Sequence, residues 1–274
     1  MTSATPLDDR GKRQRRDILR AFEAAGRGHI GGAFSAMEIV RVLYDDILSF
    51  DPSNPEWPDR DRFIFSKGHS CLALYIMLAE KGFFPAEELG RISEFGAMLG
   101  GHPEADKIPG VEASTGSLGH GLSIGVGCAL AARIDKKPWR TFVLVGDGES
   151  NEGSVWEAAL SAGKHGLTSL TVLVDYNRFL SYNPAHEVQE LDPLADKWRA
   201  FGFGVSEVDG HDVQALRDVL GNLPVEPGKP SAIVCNTIKG KGLRATENNG
   251  DWHHKARVTP EEFKDLYAEL EVLA

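Results

Sequence analysis

The sequence has few cysteines, a deficit of basic charge and no long apolar run. Its 274 residues include three cysteines, Cys71, Cys128 and Cys235, which are odd in number and widely spaced. This pattern does not match a disulfide framework or a zinc site, and it is typical of buried thiols in a reducing cytoplasm. We therefore assign no function to the three cysteines.

Acidic residues outnumber basic ones by 40 to 30, so the formal net charge is −10. Such a chain is poorly suited to nucleic acid or to an anionic membrane, and we expect neither as a partner. The exception is a basic run at residues 10–16. Acidic residues flank this run at the start of an amphipathic pattern, so we expect a solvated helix face there and not a targeting peptide.

No segment of the sequence is predicted to span a membrane. The least charged stretch, residues 113–132, is rich in glycine and serine and contains His120, which is not the composition of a membrane-spanning helix. No secretory signal is visible, and we expect a cytoplasmic protein. With 42% hydrophobic residues and no linker-like stretch, residues 1–274 are predicted to form one domain with a large core.

Short apolar runs of strand character alternate with helical patterns along the chain. The predicted strands are residues 63–65, 141–145, 170–174, 202–208 and 232–237. The predicted helices include residues 16–25, 36–48, 66–78 and 122–132, and residues 28–32 are predicted to be a loop. Alternation of this kind predicts an α/β fold with three layers, in which a mainly parallel sheet has helices on both faces.

Two of these strands are followed by polar residues that suit a hard cation. Asp147 follows the strand at 141–145, and Asn177 follows the strand at 170–174. We expect both strand ends to face one crevice. Because Mg²⁺ completes its six oxygens with phosphates and water, one carboxylate and one amide are sufficient protein ligands. The pattern predicts a Mg²⁺ and diphosphate site, although an ordinary strand–helix–strand crossover is still possible at this point.

Histidines recur in glycine-rich turns. His29, His69, His102 and His120 each lie beside glycine, and His253 follows another glycine-containing turn. A single loop histidine is usually only solvated, but several near predicted strand ends indicate a site. No pair has the spacing of a zinc motif, so handling of a hydroxylated, phosphorylated substrate fits better. We interpret the remaining histidines as structural or exposed: His165, His186, His211 and His254.

In this order, these segments resemble the amino-terminal, diphosphate-binding half of transketolase, and more closely the small subunits in which that half is a separate polypeptide. The matching segments are residues 28–32, 61–69, 101–104, 115–119, 146–148, 151–153, 175–177, 239–242 and 252–253. The resemblance implies the thiamin-diphosphate-binding fold of the PP domain. It also implies transfer of a two-carbon ketol (glycolaldehyde) unit from a ketose phosphate to an aldehyde or related acceptor.

The resemblance assigns roles to matching residues. Mg²⁺, for which Ca²⁺ or Mn²⁺ can substitute, would be held by Asp147, Asn177 and the backbone carbonyl of Phe179. The cofactor-binding set that it implies is His69, Gly116, Ser117, Leu118, Gly146, Gly148, Glu149, Asn177 and His253. The implied catalytic set is His29, His69, His102 and His253, with Glu152 at the subunit junction.

Ketol transfer moves protons between hydroxyl and carbonyl oxygens, and imidazoles that titrate near neutrality suit this task. The histidine set therefore favours a sugar substrate. The nearest alternative is the α subunit of a 2-oxo acid dehydrogenase first component, which shares the metal motif but needs fewer proton transfers. A non-catalytic paralogue that binds cofactor or partner is a third possibility.

In full-length relatives the glutamate that activates the cofactor belongs to a pyrimidine-binding domain that follows this one. Here 37 residues follow Thr237 (274 minus 237), which is too few for that domain. We therefore expect the chain to be inactive alone and to pair, as α2β2, with a second polypeptide that carries the pyrimidine-binding and carboxy-terminal domains. The chain does not determine the donor or the acceptor.

Overall fold

The computed structural model describes residues 5–272 of the chain. Its strands, numbered in chain order, are β1 (Arg27–Gly28), β2 (Arg62–Phe65), β3 (Thr141–Gly146), β4 (Leu170–Tyr176), β5 (Phe179–Leu180), β6 (Asn183–Pro184), β7 (Gly204–Asp209), β8 (Ser231–Asn236) and β9 (Lys255–Ala256). Its helices are α1 (Asp9–Ala25), α2 (Ile30–Val42), α3 (Leu72–Glu80), α4 (Gly121–Ile134), α5 (Gly153–His165), α6 (Ala185–Val188), α7 (Leu194–Ala200), α8 (Val213–Gly221) and α9 (Pro260–Val272).

Five strands form a parallel sheet in the order β2-β3-β4-β8-β7. In its register Gly146 of β3 lies opposite Asp175 of β4, and Asp175 lies opposite Cys235 of β8. The carboxyl ends of the three central strands therefore meet at one edge. All five predicted strands are present, but β4 continues to Tyr176, beyond the predicted end, so Asn177 is the first residue after it.

Side chains of the sheet alternate between two apolar cores. On β3, Phe142 and Leu144 pack in the core that contains residues of α1, α2, α3, α8 and α9. Val143 and Val145 pack in the other core, with residues of α4, α5 and α7. Because both faces of the strands are apolar, both must be covered by helices. The predicted three-layer α/β architecture is confirmed.

Helix α1 begins before the predicted start at residue 16, because Asp8 caps its amino end by accepting a 2.6 Å hydrogen bond from the Gly11 N–H. The basic run therefore lies inside the helix. The prediction of a solvated face is wrong for Arg15, whose side chain has 0% exposure and pairs with Glu38. This partner lies on α2, far from Arg15 in the sequence, so the local pattern does not reveal it.

The segment at residues 28–32, predicted as a loop, is mostly helical. Helix α2 begins at Ile30, so Gly31 and Gly32 lie in its first turn. A Cβ atom added to Gly32 would lie 2.2 Å from the Ser70 hydroxyl. The approach of α2 to the short 3₁₀ turn Gly68–Ser70 is therefore tight, and a larger residue at this position would require the Ser70 hydroxyl to move. This turn replaces the predicted start of a helix at residue 66. Among residues 5–272, every helix falls short of the length and apolar character that crossing a bilayer requires.

Gly163 lies where α5 packs against the segment before β7. A Cβ atom added there would lie 1.9 Å from the Phe201 carbonyl oxygen, a backbone atom that cannot rotate away. We expect Gly163→Ala to lower the free energy of unfolding by about 1–3 kcal/mol through overpacking, measured by urea denaturation. The matched control is Gly127→Ala on α4, where an added Cβ meets nothing within 4 Å. This variant should be neutral or slightly stabilised, and equal effects at both positions would contradict the argument.

A buried network of charged and polar side chains connects α1 and α2 to the loop after β8. Arg15 Nη2 donates to Glu38 Oε2 at 2.8 Å, and His211 Nδ1 lies 2.9 Å from the same oxygen. His211 Nε2 accepts from the Ile238 N–H at 2.9 Å, so we assign the ring proton to Nδ1, which donates to Glu38. His211 is buried, in agreement with the structural role predicted for it.

Burial raises the pKa of Glu38, but Arg15 and His211 outweigh burial and lower the pKa from 4.5 to about 2. Because the folded pKa is lower than the unfolded one, the stabilisation from Glu38 is present above about pH 4.5 and lost as the pH falls toward 2. We expect the free energy of unfolding of Glu38→Gln to fall less steeply than that of the wild type across this window. Urea denaturation at several pH values measures this slope, and parallel slopes would contradict the assignment.

Candidate active site

A cavity of about 280 Å³ opens at the carboxyl ends of β2, β3, β4 and β8. We call it the strand-end pocket. It is lined by Gly32, Lys67, His69, Leu118, Gly146, Asp147, Gly148, Glu149, Glu152, Asn177, Phe179, Leu180, Ser181, Lys239 and His253. Most of the site residues predicted from the sequence therefore share one cavity. His29, His102, Gly116 and Ser117 do not line it.

Asp147 stands directly after β3 and is 2% exposed. Its Oδ1 accepts a hydrogen bond from the Gly148 N–H at 2.7 Å, and its Oδ2 accepts one from the Arg178 N–H at 2.5 Å. Burial, together with the nearby Asp175 carboxylate, raises the pKa of Asp147 to about 7. A buried carboxylate beside a second carboxylate is an environment that a divalent cation would stabilise.

Asn177 stands at the corresponding position after β4. Its Nδ2 donates to Asp175 Oδ2 at 3.3 Å, and its Oδ1 accepts from the Phe179 N–H at 3.1 Å. These two bonds fix which way the amide faces. Within residues 5–272 no three His, Cys, Asp or Glu side chains converge to hold a metal by themselves. The donors present, one carboxylate and one amide oxygen, fit a hard cation that takes its other oxygens from a bound ligand and water.

A buried ion pair that the sequence pattern does not predict lies at the base of the pocket. Asp175, fully buried in β4, pairs with Lys67 and accepts hydrogen bonds from Thr237 and, at 2.6 Å, from Ser35. Lys67 Nζ also donates to the Gly32 carbonyl at 3.1 Å. Burial raises the pKa of Asp175, but Lys67 and the hydroxyl donors outweigh it and lower the pKa overall. Both residues lie in the matched motifs, yet nothing in the sequence pairs them.

The Glu149 carboxylate connects two loops of the pocket by hydrogen bonds. Its Oε1 accepts from the Gly119 N–H at 2.9 Å and from the Ser66 hydroxyl at 2.5 Å, and its Oε2 accepts from the Gly146 N–H at 3.1 Å. Burial raises the pKa of this carboxyl group. Because both of its oxygens accept hydrogen bonds from the protein, Glu149 holds these loops together at the pocket wall.

A second cavity, of about 310 Å³, adjoins the first, and His69 lines both. It contains His29 and His102 together with His254. The ring centroid of His29 lies 5.0 Å from that of His69, 5.2 Å from that of His253 and 4.7 Å from that of His254. His254 is exposed, as predicted, but it belongs to the histidine cluster. Its position next to His253 in the sequence could have indicated that it belongs to this cluster.

Burial lowers the pKa of His29, His69 and His253, so these three imidazoles are neutral near pH 7. It lowers the pKa of His29 to about 4, with the charge of His254 adding to the effect. Burial and the Lys239 ammonium lower the pKa of His253 to about 3. The pKa of His69 is also well below its usual value, chiefly through burial. A neutral imidazole can both donate and accept hydrogen bonds, which suits contact with hydroxyl and carbonyl oxygens.

The remaining predicted residues differ in their position relative to the two cavities. Leu118 lines the strand-end pocket, whereas Gly116 packs beneath His102, whose ring would be 3.0 Å from a Cβ atom added to Gly116. Ser117 is exposed and lines neither cavity. Glu152 is exposed at the pocket rim, where it precedes α5.

Residues 13–270 match the family described as transketolase, thiamine diphosphate binding domain. The chain is 42% identical over 257 residues to 6-deoxy-6-sulfo-D-fructose transketolase subunit SqwG of a Clostridium species, covering 94% of this chain and 93% of that protein. It is 38% identical over 264 residues to one of the subunits of apulose-4-phosphate transketolase from Phocaeicola vulgatus, covering 96% of this chain and 93% of that protein.

Solved transketolases share the fold. The enzyme from Campylobacter jejuni superposes with a TM-score of 0.85 at 27% identity, covering 96% of this chain and 43% of that one. A transketolase mutant from Pichia stipitis gives a TM-score of 0.84 at 26% identity, covering 96% and 44%. The chain thus spans less than half of these solved structures. The resemblance identified from the sequence is confirmed over the 2-oxo acid dehydrogenase alternative, and the chain belongs to the transketolase family, in its thiamine diphosphate-binding domain.

Proposed function

We propose that this chain, as a single diphosphate-binding domain, is one subunit of a two-chain transketolase. The complex would transfer a two-carbon ketol unit from a ketose phosphate to an aldehyde acceptor, with thiamin diphosphate and Mg²⁺. One observation carries the proposal: Asp147 and Asn177 stand at adjacent strand ends in the same pocket as His69 and His253. The named subunits among its relatives support it.

The protein groups that would hold the cation are the Asp147 carboxylate, the Asn177 amide oxygen and the Phe179 carbonyl. Mg²⁺ is the expected ion, and Ca²⁺ or Mn²⁺ could replace it. Bound thiamin diphosphate supplies the electron sink that ketol transfer requires, which no side chain provides. Leu118 is proposed to contact the aminopyrimidine, with Gly116 and Ser117 nearby.

The histidine cluster is proposed to handle the substrate. Because His29, His69 and His253 are neutral near pH 7, each can hold or pass a proton at a hydroxyl or carbonyl oxygen without carrying a fixed charge. His102, in the adjoining cavity, lies where an extended sugar would approach. The split between two cavities separates cofactor binding from sugar recognition.

The second subunit is proposed to supply the pyrimidine-binding and carboxy-terminal domains, with α2β2 stoichiometry and a cytoplasmic location. Two relatives that this chain covers almost completely are themselves named as subunits. Glu152 is exposed at the pocket rim, where a partner that closes over the cofactor would contact it.

The test is reconstitution. The purified chain, given thiamin diphosphate, Mg²⁺, ketose phosphates and an aldehyde acceptor, should show no ketol transfer, and transfer should begin when a polypeptide with the pyrimidine-binding domain is added. Turnover by the chain alone would refute the two-chain proposal. Decarboxylation of 2-oxo acids by the pair would favour the dehydrogenase alternative, and cofactor binding without transfer would favour a non-catalytic paralogue.

A further inference from the structure

Arg27 is an exposed cation on the wall of the second cavity. It belongs to β1, which pairs antiparallel with β9, so that Arg27 lies opposite Ala256. Two residues later, His29 lines the same cavity, with its ring centroid 4.7 Å from that of His254. The pairing of β1 with β9 holds the backbone on both sides of this wall, so the fold determines where the guanidinium group of Arg27 stands.

The second cavity has a basic lining. Among residues 5–272, the polar side chains that line it are four histidines, Arg27, Ser93 and Cys71, and no aspartate or glutamate is among them. In this part of the chain no carboxylate oxygen lies within 4.0 Å of the Arg27 guanidinium nitrogens. The strand-end pocket differs, because three acidic residues line it. In a chain with a net charge of −10, a cavity of this composition is a local site for an anion.

The two cavities meet at His69, which lines both. The strand-end pocket holds the residues suited to the metal and the diphosphate, and the second cavity leads from His69 to solvent. Arg27 and Ser93 are exposed where this cavity opens. The positive charge therefore stands at the outer end of the space, away from the strand ends.

We propose that Arg27 is a specificity-determining residue that binds the phosphate group of the sugar substrate. The inference rests on the proposed function, because it takes the carbonyl end of the sugar to lie in the strand-end pocket. The sugar chain then extends past His69 and brings its phosphate to the outer end of the second cavity. A guanidinium group suits this task, because it donates two parallel hydrogen bonds to phosphate oxygens. The Ser93 hydroxyl can donate a further one.

The test compares Arg27→Gln with the wild type in the reconstituted two-chain enzyme. Glutamine keeps a polar side chain but removes the charge and the paired donors. We expect the KM for a ketose phosphate donor to rise about 5- to 50-fold, with kcat within about twofold of the wild type. For the same ketose without its phosphate, the rise in KM should stay below about twofold. Arg27→Lys, which keeps the charge but not the planar fork, should recover part of the loss.

The matched control is Arg257→Gln. Arg257 is also exposed and directly follows β9, but it lines neither cavity. Its KM for the ketose phosphate should stay within about twofold of the wild type. An equal rise in both variants would show a general effect of surface charge and would overturn the inference.

Titration of the purified chain with inorganic phosphate gives a readout that needs no turnover. Phosphate bound at Arg27 should shift the NMR signals of the His29 and His254 rings in the wild type, and shift them less in Arg27→Gln. Equal titrations, or weaker association of Arg27→Gln with the second subunit at an unchanged KM, would overturn this inference alone. A wild-type pair without ketol transfer would overturn the proposed function and this inference together.

Discussion

Asp147→Asn will abolish Mg²⁺-dependent binding of thiamin diphosphate while leaving the chain folded. Asparagine keeps one acceptor oxygen for the neighbouring N–H groups but removes the only carboxylate of the proposed ligand set. Replacing residues that only hydrogen-bond the metal ligands lowers metal affinity about 10- to 100-fold. Loss of a direct, charged ligand should therefore lower the affinity by more than about 100-fold. Calorimetric titration of the wild type and the variant with thiamin diphosphate, with and without Mg²⁺, measures the change.

The same variant should be as stable as the wild type without ligand. Burial, with a smaller effect of the nearby Asp175, raises the pKa of the Asp147 carboxylate to about 7, so its charge does not favour the folded state at neutral pH. Asp265→Asn, at an exposed position on α9, controls for loss of a carboxylate elsewhere. If Asp147→Asn binds thiamin diphosphate and Mg²⁺ as the wild type does, the proposed metal site is wrong.

The largest effect on stability is expected for Lys67→Met. The substitution leaves the Asp175 carboxylate fully buried with only neutral donors, Ser35 and Thr237 among them. Breaking a buried ion pair by removing one partner costs about 3–5 kcal/mol. Guanidinium denaturation should therefore show a loss of this size. Lys229→Met, which breaks an exposed pair with Glu226, should cost less than about 1 kcal/mol.

A double-mutant cycle separates the ion pair from packing. Asp175→Asn removes the charge that Lys67→Met leaves unpaired, so the double variant should be less destabilised than the sum of the single variants. An interaction free energy of about 1–3 kcal/mol is expected for partners in contact. Additive effects would show that the two residues do not stabilise each other.

The local sequence pattern predicted the strands and the proposed cation ligands that follow two of them. The apolar runs before Asp147 and Asn177 predict buried parallel strands because both faces of such strands are covered, and a parallel sheet brings consecutive carboxyl ends to one edge. The motifs around them were specific enough to indicate the family. These features depend on neighbours in the chain, which is why the sequence alone revealed them.

Other features were decided by partners that lie far away in the chain. Lys67 and Asp175 pair across 108 positions of the chain. Arg15, which the pattern places on a solvated face, is buried and pairs with a glutamate on another helix. Nothing in a local pattern predicts which carboxylate neutralises which cation. The division of the histidines between two cavities likewise depends on how the loops pack.

Lys239 shows the same limit most clearly. Its motif was recognised in the sequence, but its burial could not be inferred, because a lysine in a glycine-rich loop is usually solvated. Only the folded chain shows that this lysine is 2% exposed and lines the strand-end pocket. The sequence by itself determined which residues meet at the sheet edge, and the tertiary structure decided which of their charges are balanced, because charge balance depends on distances in space.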